Sequence, residues 1–384
     1  MRRTWPFLFY LVYFAAAIFI QPNIIVYFQK LGFTGVEIGA LAALVPLIIM
    51  LGAPLWTGIS DATNRHRLIM SVTILVSIIT ASLFPLVHSF TLMIPLIILH
   101  ALFVGPIMPF ADSATVSMLA ENREMYGRVR LGGTIGWGVV ALLAGQVIGR
   151  YGIRWAFWGF AAFMVFNLFI SQKFTYSKKP KADPLAGNLK NVLIDRRWVI
   201  FLALAFVAGI AFTVINSYLF PYMAELNINN SMRYIAITIS TIAELPVLFF
   251  ANRLLRHFKA YGLLLIAMLV TGLRLLLYAF FNFQAGILAF QFLNALTFPL
   301  FLVAGVSYAN EISPEGYKST AQGLFGSMVS GFGAAVGGFA GGLLLDSLGG
   351  QGLFLSAGIF VLASLAVILL IERRQRGVVP RGLG

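Results

Sequence analysis

The 384-residue chain contains no cysteine, which excludes disulfides, thiolate metal sites and thiol nucleophiles. It is also poor in charge: 10% of residues are charged, against roughly 25% in soluble domains. Only 13 residues are acidic and only 4 are histidine. No Ser/His/Asp set, HExxH helix or Walker-type glycine loop occurs, so neither enzyme chemistry nor a bound cofactor or metal is expected. What fills the chain instead is apolar: 60% hydrophobic residues, 35 of them phenylalanine. A soluble fold of this length has too little interior to hide that much apolar surface, and a bilayer removes the difficulty.

Apolar segments of about 20 residues, long enough to cross roughly 30 Å of hydrocarbon as helices, recur along the chain. Twelve are expected, at 6–29, 36–59, 68–87, 91–119, 129–149, 154–173, 198–223, 232–252, 260–281, 284–309, 319–345 and 350–371. The one long polar connection, 174–197, divides them six and six. The expected organisation is an all-α polytopic membrane protein with a six-helix bundle over 1–173, a central loop over 174–197, and a second bundle with a short tail over 198–384. The opening MRRTWPFLFY resembles a signal peptide, but the apolar run continues past Ala15–Ala17 to Phe28 and reads as an uncleaved first span. The terminal VVPRG reads as a protease-site scar and is given no structural weight.

Both termini fall on one face of such a molecule, and 22 of the 27 Lys and Arg residues fall there too. The other face receives Lys30, Arg150, Arg154 and Arg233, and Arg274 lies inside a span. The positive-inside rule assigns the basic face, both termini and the central loop to the cytoplasm, and the cell (inner) membrane is the expected location. The net charge of +14 is thus topological and needs no nucleic-acid partner. An internal repeat agrees with the six-plus-six division. The fifth span carries Gly132 and Gly136 and the eleventh carries Gly333, Gly337 and Gly341, at the four-residue spacing that lets helix backbones touch in lipid. Equivalent close-packed helices in two halves are expected of a transporter built from repeats.

Ionisable residues inside spans cost roughly 2.5–3.5 kcal/mol each on insertion scales and so mark sites. Asp112 in the fourth span and Arg130 at the start of the fifth pair across a hairpin, next to a wet cavity. Glu244 and Arg274 form a second candidate pair in the eighth and ninth spans. His100 reads as a hydrogen-bonded packing residue. Tyr10, Tyr13 and Tyr27 fit either a cavity lining or an interface belt.

Twelve spans with a basic central loop resemble the major facilitator superfamily. The loop GISDATNRHR supports this, with Asp61, Arg65 and Arg67 at signature positions and Asn64 where a turn glycine is usual. The resemblance implies a charge latch between helices that breaks as the halves rock. Asp112, Arg130 eighteen residues on and Trp137 seven further resemble the helix 4–5 hairpin of the lactose permease group, which includes nucleoside and phenylpropionate permeases. In that group the acid and arginine hold sugar hydroxyls and the ring stacks on the sugar face. Arg274 resembles a proton-coupling arginine of the group, and Glu244 lies a turn from its substrate-binding glutamate. The tenth span departs from the pattern: Gln291, Asn294 and Thr297 stand where that permease has titrating groups. Gln291 and Asn294 are candidates for hydrogen-bonding substrate or neighbouring helices, and a coupled proton falls to Glu244 or Asp112. The expected activity is secondary transport of a small polar or aromatic solute (a sugar, nucleoside or aromatic acid) with a proton, by a monomer in the lipid bilayer. Export of a drug or metabolite on the same fold is the alternative, ahead of a non-transporting sensor or an intramembrane enzyme.

Overall fold

The computed structural model describes residues 3–120, 122, 125–176, 195–314 and 317–376. Most of the 174–197 loop, Arg123 and the terminal VVPRG lie outside the described residues. Helices α1 (Thr4–Lys30), α2 (Gly35–Thr63), α3 (His66–Leu86), α4 (Phe90–Leu119), α5 (Tyr126–Tyr151) and α6 (Trp155–Ser171) make the first half. The second half holds α7 (Arg196–Glu225), α8 (Asn230–Phe258), α9 (Ala260–Phe280) and α10 (Gln284–Ile312). Its last two helices run without a break from Lys318 to Arg376, except at Gly349, whose φ of 68° is left-handed. Before Gly349 the chain (α11) climbs parallel to α7, with Gly333 against Phe206 and Gly341 against Tyr218. After it the chain (α12) descends antiparallel to α9, with Gly358 against Leu276 and Leu362 against Gly272. A glycine meets the left-handed turn without a Cβ clash.

Among the described residues ten helices are long and apolar enough to cross a membrane, the α11–α12 run counting as one, and α6 is a shorter apolar helix. Dividing that run at Gly349 gives twelve segments at the places expected from hydropathy. The outward-turned side chains are those of a lipid-facing surface: Phe249, Phe169 and Phe166 are 82%, 67% and 63% exposed.

The glycine repeat does what its spacing predicts. A Cβ at Gly132 or Gly136 would lie 2.5 and 2.0 Å from the Phe7 and Leu11 carbonyls of α1. One at Gly333 or Gly337 would lie 2.6 and 2.7 Å from the Phe206 and Ile210 carbonyls of α7. So α5 rides on α1 as α11 rides on α7, and the two halves repeat one packing. A π-helical turn over Ser327–Gly333 widens α11 beside the first of these contacts.

Among the described residues, the contacts between the halves run inwards from one face, as far as Met50, whose Sδ would lie 2.6 Å from a Cβ at Gly331. Asn23 Nδ2 donates to the Tyr234 hydroxyl at 2.5 Å, and the Gly35 amide donates to Asp346 Oδ2 at 3.1 Å. A Cβ at Gly342 would lie 2.5 Å from the Gly35 carbonyl, and one at Gly145 would lie 2.9 Å from the Tyr234 ring. This closed face carries Lys30, Arg150, Arg154 and Arg233. Towards the other face, Gly58 on α2, Gly127 on α5 and Gly323 and Gly326 on α11 have nothing within 4 Å of a built Cβ. Among the described residues the molecule is thus a pair of bundles held together towards one end, the closed face.

Candidate functional site

Asp112 sits in the second piece of α4. Pro106, which follows Gly105, cannot donate a backbone N–H, and the helix restarts at Ile107. The carboxylate is heavily bonded. Its Oδ1 accepts from the Tyr10 hydroxyl at 2.6 Å, the Tyr126 hydroxyl at 2.8 Å and Arg130 Nη1 at 3.2 Å. Arg130 also donates to the Tyr126 hydroxyl at 3.5 Å and lies over the rings of Tyr10 and Phe14, 5.6 and 6.0 Å from their centroids. Trp137 stands two turns further along α5, edge-on to Phe14 at 6.4 Å. The expected acid–base pair is therefore formed, inside an aromatic enclosure. Yet the two side chains stay 39% and 42% exposed. Ion pairs inside membrane spans as a rule border the bundle interior or a water-filled cavity, where such open surface is tolerated.

The second cluster is built differently from the direct pair expected. Arg274 is 2% exposed and spends its donors on four neighbours. Nε donates to the Tyr278 hydroxyl at 2.8 Å, Nη2 to Gln291 Oε1 at 2.9 Å, and Nη1 to Asn294 Oδ1 at 2.7 Å and Thr297 Oγ1 at 3.2 Å. Glu244 touches none of these donors. Asn294 Nδ2 donates to Glu244 Oε1 at 2.5 Å, so the amide stands between acid and base. The backbone explains why. The tenth span is helical over Gln284–Phe290, tightens into a 3-10 turn over Gln291–Leu296, and restarts at Phe298. That interruption brings Gln291, Asn294 and Thr297 round Arg274 together. Pro246 lies two residues past Glu244 and leaves the Ile242 carbonyl without its helical donor, which loosens α8 at the same level.

The two clusters are linked by the α5–α8 contact. Thr238 Oγ1 donates to the Gly138 carbonyl at 3.1 Å, and a Cβ at Gly138 would meet Thr241 at 3.1 Å. Trp137 precedes that glycine, and Glu244 follows that threonine by one turn. Both clusters thus border the inner end of the contact between the halves.

Of the remaining sequence candidates, Gln291 is 2% exposed and committed to Arg274, with its Nε2 unpartnered. His100 hydrogen-bonds Thr80 Oγ1 at 2.8 Å and lies edge-on to Phe84 at 5.4 Å, as a packing histidine does. Tyr13 stacks on Phe9 at 6.3 Å, and Tyr27 is buried with its hydroxyl on the Phe84 carbonyl. Asn64 adopts the left-handed turn at φ 55°. Asp61 and the arginines beside it are not joined: Asp61 lies 3.8 Å from His66 Nδ1, Arg67 donates to the Phe174 carbonyl at 2.9 Å, and Arg65 is exposed. Two contributors escaped the sequence reading. Tyr126 lies one turn before Arg130, and Tyr278 one turn after Arg274. The signal was present as i,i+4 spacing on the face that carries each guanidinium.

The model of the family described as "MFS_1 like family" matches residues 6–356. The chain belongs to that family. It is similar to the maltose permease of Geobacillus stearothermophilus, at 24% identity over 98% of this chain and 95% of that protein. It is also similar to the quinolone resistance protein NorA of Staphylococcus aureus (strain MSSA476), at 24% identity over 92% of each. The solved nucleoside transporter NupG shares the fold with a TM-score of 0.84 at 16% identity, covering 97% of this chain and 99% of that one. The chain is an integral membrane transporter of the major facilitator superfamily that moves a small molecule, and it is not an enzyme.

Proposed function

We propose that the chain is a proton-coupled importer of a small polar solute, a sugar or nucleoside, and that Asp112, Arg130 and Trp137 bind it. The half-open Asp112–Arg130 pair carries this reading. It offers charged hydrogen-bonding groups to hydroxyls, and the Trp137 ring nearby offers a stacking surface for a sugar or base. The names of the maltose permease and of NupG fit the same class of solute. Asn294 joins the substrate from the other half through whichever amide atom it frees, while Gln291 orients Arg274.

In this reading the termini and the basic face are cytoplasmic, so the described state is open inward and closed outward. Asp61, Arg65 and Arg67 form the latch that engages when the inner face closes. Glu244 holds the proton, and Asn294 makes its state felt by Arg274. A protonated Glu244 accepts less strongly from Asn294 Nδ2, and that N–H is then free to donate to substrate. Proton and solute thereby bias the same interruption of α10. The protein works as a monomer, since each bundle pair encloses one cavity.

Proteoliposomes decide between this and its rival. Glu244→Gln should keep solute exchange in counterflow and lose accumulation driven by an inward proton gradient. Gradient-driven accumulation at the wild-type level in Glu244→Gln would remove Glu244 from coupling. Expulsion of solute under the same gradient in the wild type would establish the exporter reading that NorA represents.

A further inference from the structure

Outside the central site, one cavity combines charge with shape. It opens at the closed face, with a volume of about 850 Å³, where α5 meets the turn from α7 to α8. Gln146 and Arg150 line it from the first half, and Asn227, Asn229, Asn230 and Arg233 from the second. Its floor is the closure itself: Gly145 packs against the Tyr234 ring, and Tyr234 is bonded to Asn23. The lining contains two guanidinium groups and no carboxylate. Among the described residues neither arginine forms a salt bridge. Arg233 uses Nε on the Ile228 carbonyl at 2.7 Å, which fixes its stem and leaves its terminal nitrogens for a ligand. Arg150 is exposed and lies against the Tyr151 ring at 5.5 Å.

We propose that this vestibule is a second ligand site, for a phosphate-bearing polar group, and that its occupant holds the transporter closed at this face. Guanidinium forks match phosphate oxygens, and the surrounding amides can bond the hydroxylated body such a group carries. The two arginines come from opposite halves. A ligand that spans them gains both contacts only while the halves are together, so it binds that state better and shifts the population towards it. The amides beside the arginines suit the hydroxylated body of a sugar phosphate or a glycerophosphate headgroup.

The test uses the full chain in nanodiscs and thermal unfolding as readout. In neutral phosphatidylcholine discs, millimolar glucose 6-phosphate should raise the midpoint by a few degrees, and glucose should not. Arg150→Gln removes an exposed side chain, so it should fold normally and lose the response. Arg130→Lys should keep the response, which separates the vestibule from the central site. If phosphatidylglycerol in the discs gives the same Arg150-dependent rise, the phosphate is a lipid's; if only glucose 6-phosphate does, it is a soluble one. Absence of both rises in the wild type, or their persistence in Arg150→Gln, overturns the proposal.

Discussion

Burial separates the two arginines of this protein, although both stand in apolar sequence. Arg274 is 2% exposed and serves four acceptors, whereas Arg130 is 42% exposed and shares one acid with two tyrosines. Breaking a buried charge network by deleting one member costs about 3–5 kcal/mol, because the partners are stranded. A half-solvated pair contributes about 0–1 kcal/mol. Arg274→Ala should therefore lower the unfolding midpoint of the purified protein markedly, and Asp112→Asn should leave it nearly unchanged while damaging ligand binding. Differential scanning of the two variants checks the contrast; equal midpoints would show that Arg274 is not structural. The sequence showed both arginines and the eighteen-residue spacing of Asp112 and Arg130, since an adjacent hairpin turns spacing into contact. It did not show that Asn294 stands between Glu244 and Arg274. That depends on the 3-10 interruption of α10, and hydropathy cannot distinguish a continuous apolar helix from a broken one of the same length.

At the scale of elements, glycine spacing carries the architecture. The α1–α5 and α7–α11 contacts were legible as four-residue repeats in two equivalent places. The α2–α11 contact was not, because Gly35 and Gly39 meet Gly342, and Ala42 meets Gly338, only if the halves lean together at that end, which is a property of state and not of local pattern. Gly342 has backbone of α2 on the far side, with no room for a side chain. Gly342→Leu should push α2 and α11 apart and open the closed face, while leaving the contacts within each half intact. The absence of cysteine makes the measurement clean. A single cysteine placed at Thr134 on α5 should be alkylated faster by a membrane-impermeant maleimide applied from that face in Gly342→Leu than in the parent. An unchanged rate in a correctly folded variant would mean that this contact does not gate access.

For the whole molecule, the uneven distribution of lysine and arginine predicts which side faces the cytoplasm. By the expected topology 22 basic residues fall on the face away from the contacts between the halves, and 4 on the face that carries them. A protease site inserted in the 174–197 loop should be cut in inverted vesicles and resist protease added to intact cells; cutting in intact cells would reverse the orientation. The most direct measurement of the central claim is ligand-induced stabilisation of the purified transporter over a panel of sugars, nucleosides and aromatic acids, run in parallel on Arg130→Lys. A lysine keeps the charge but not the forked hydrogen bonds of a guanidinium. The account predicts that at least one sugar or nucleoside raises the wild-type midpoint and that Arg130→Lys, with an unchanged midpoint alone, fails to respond. An undiminished response in Arg130→Lys would contradict it.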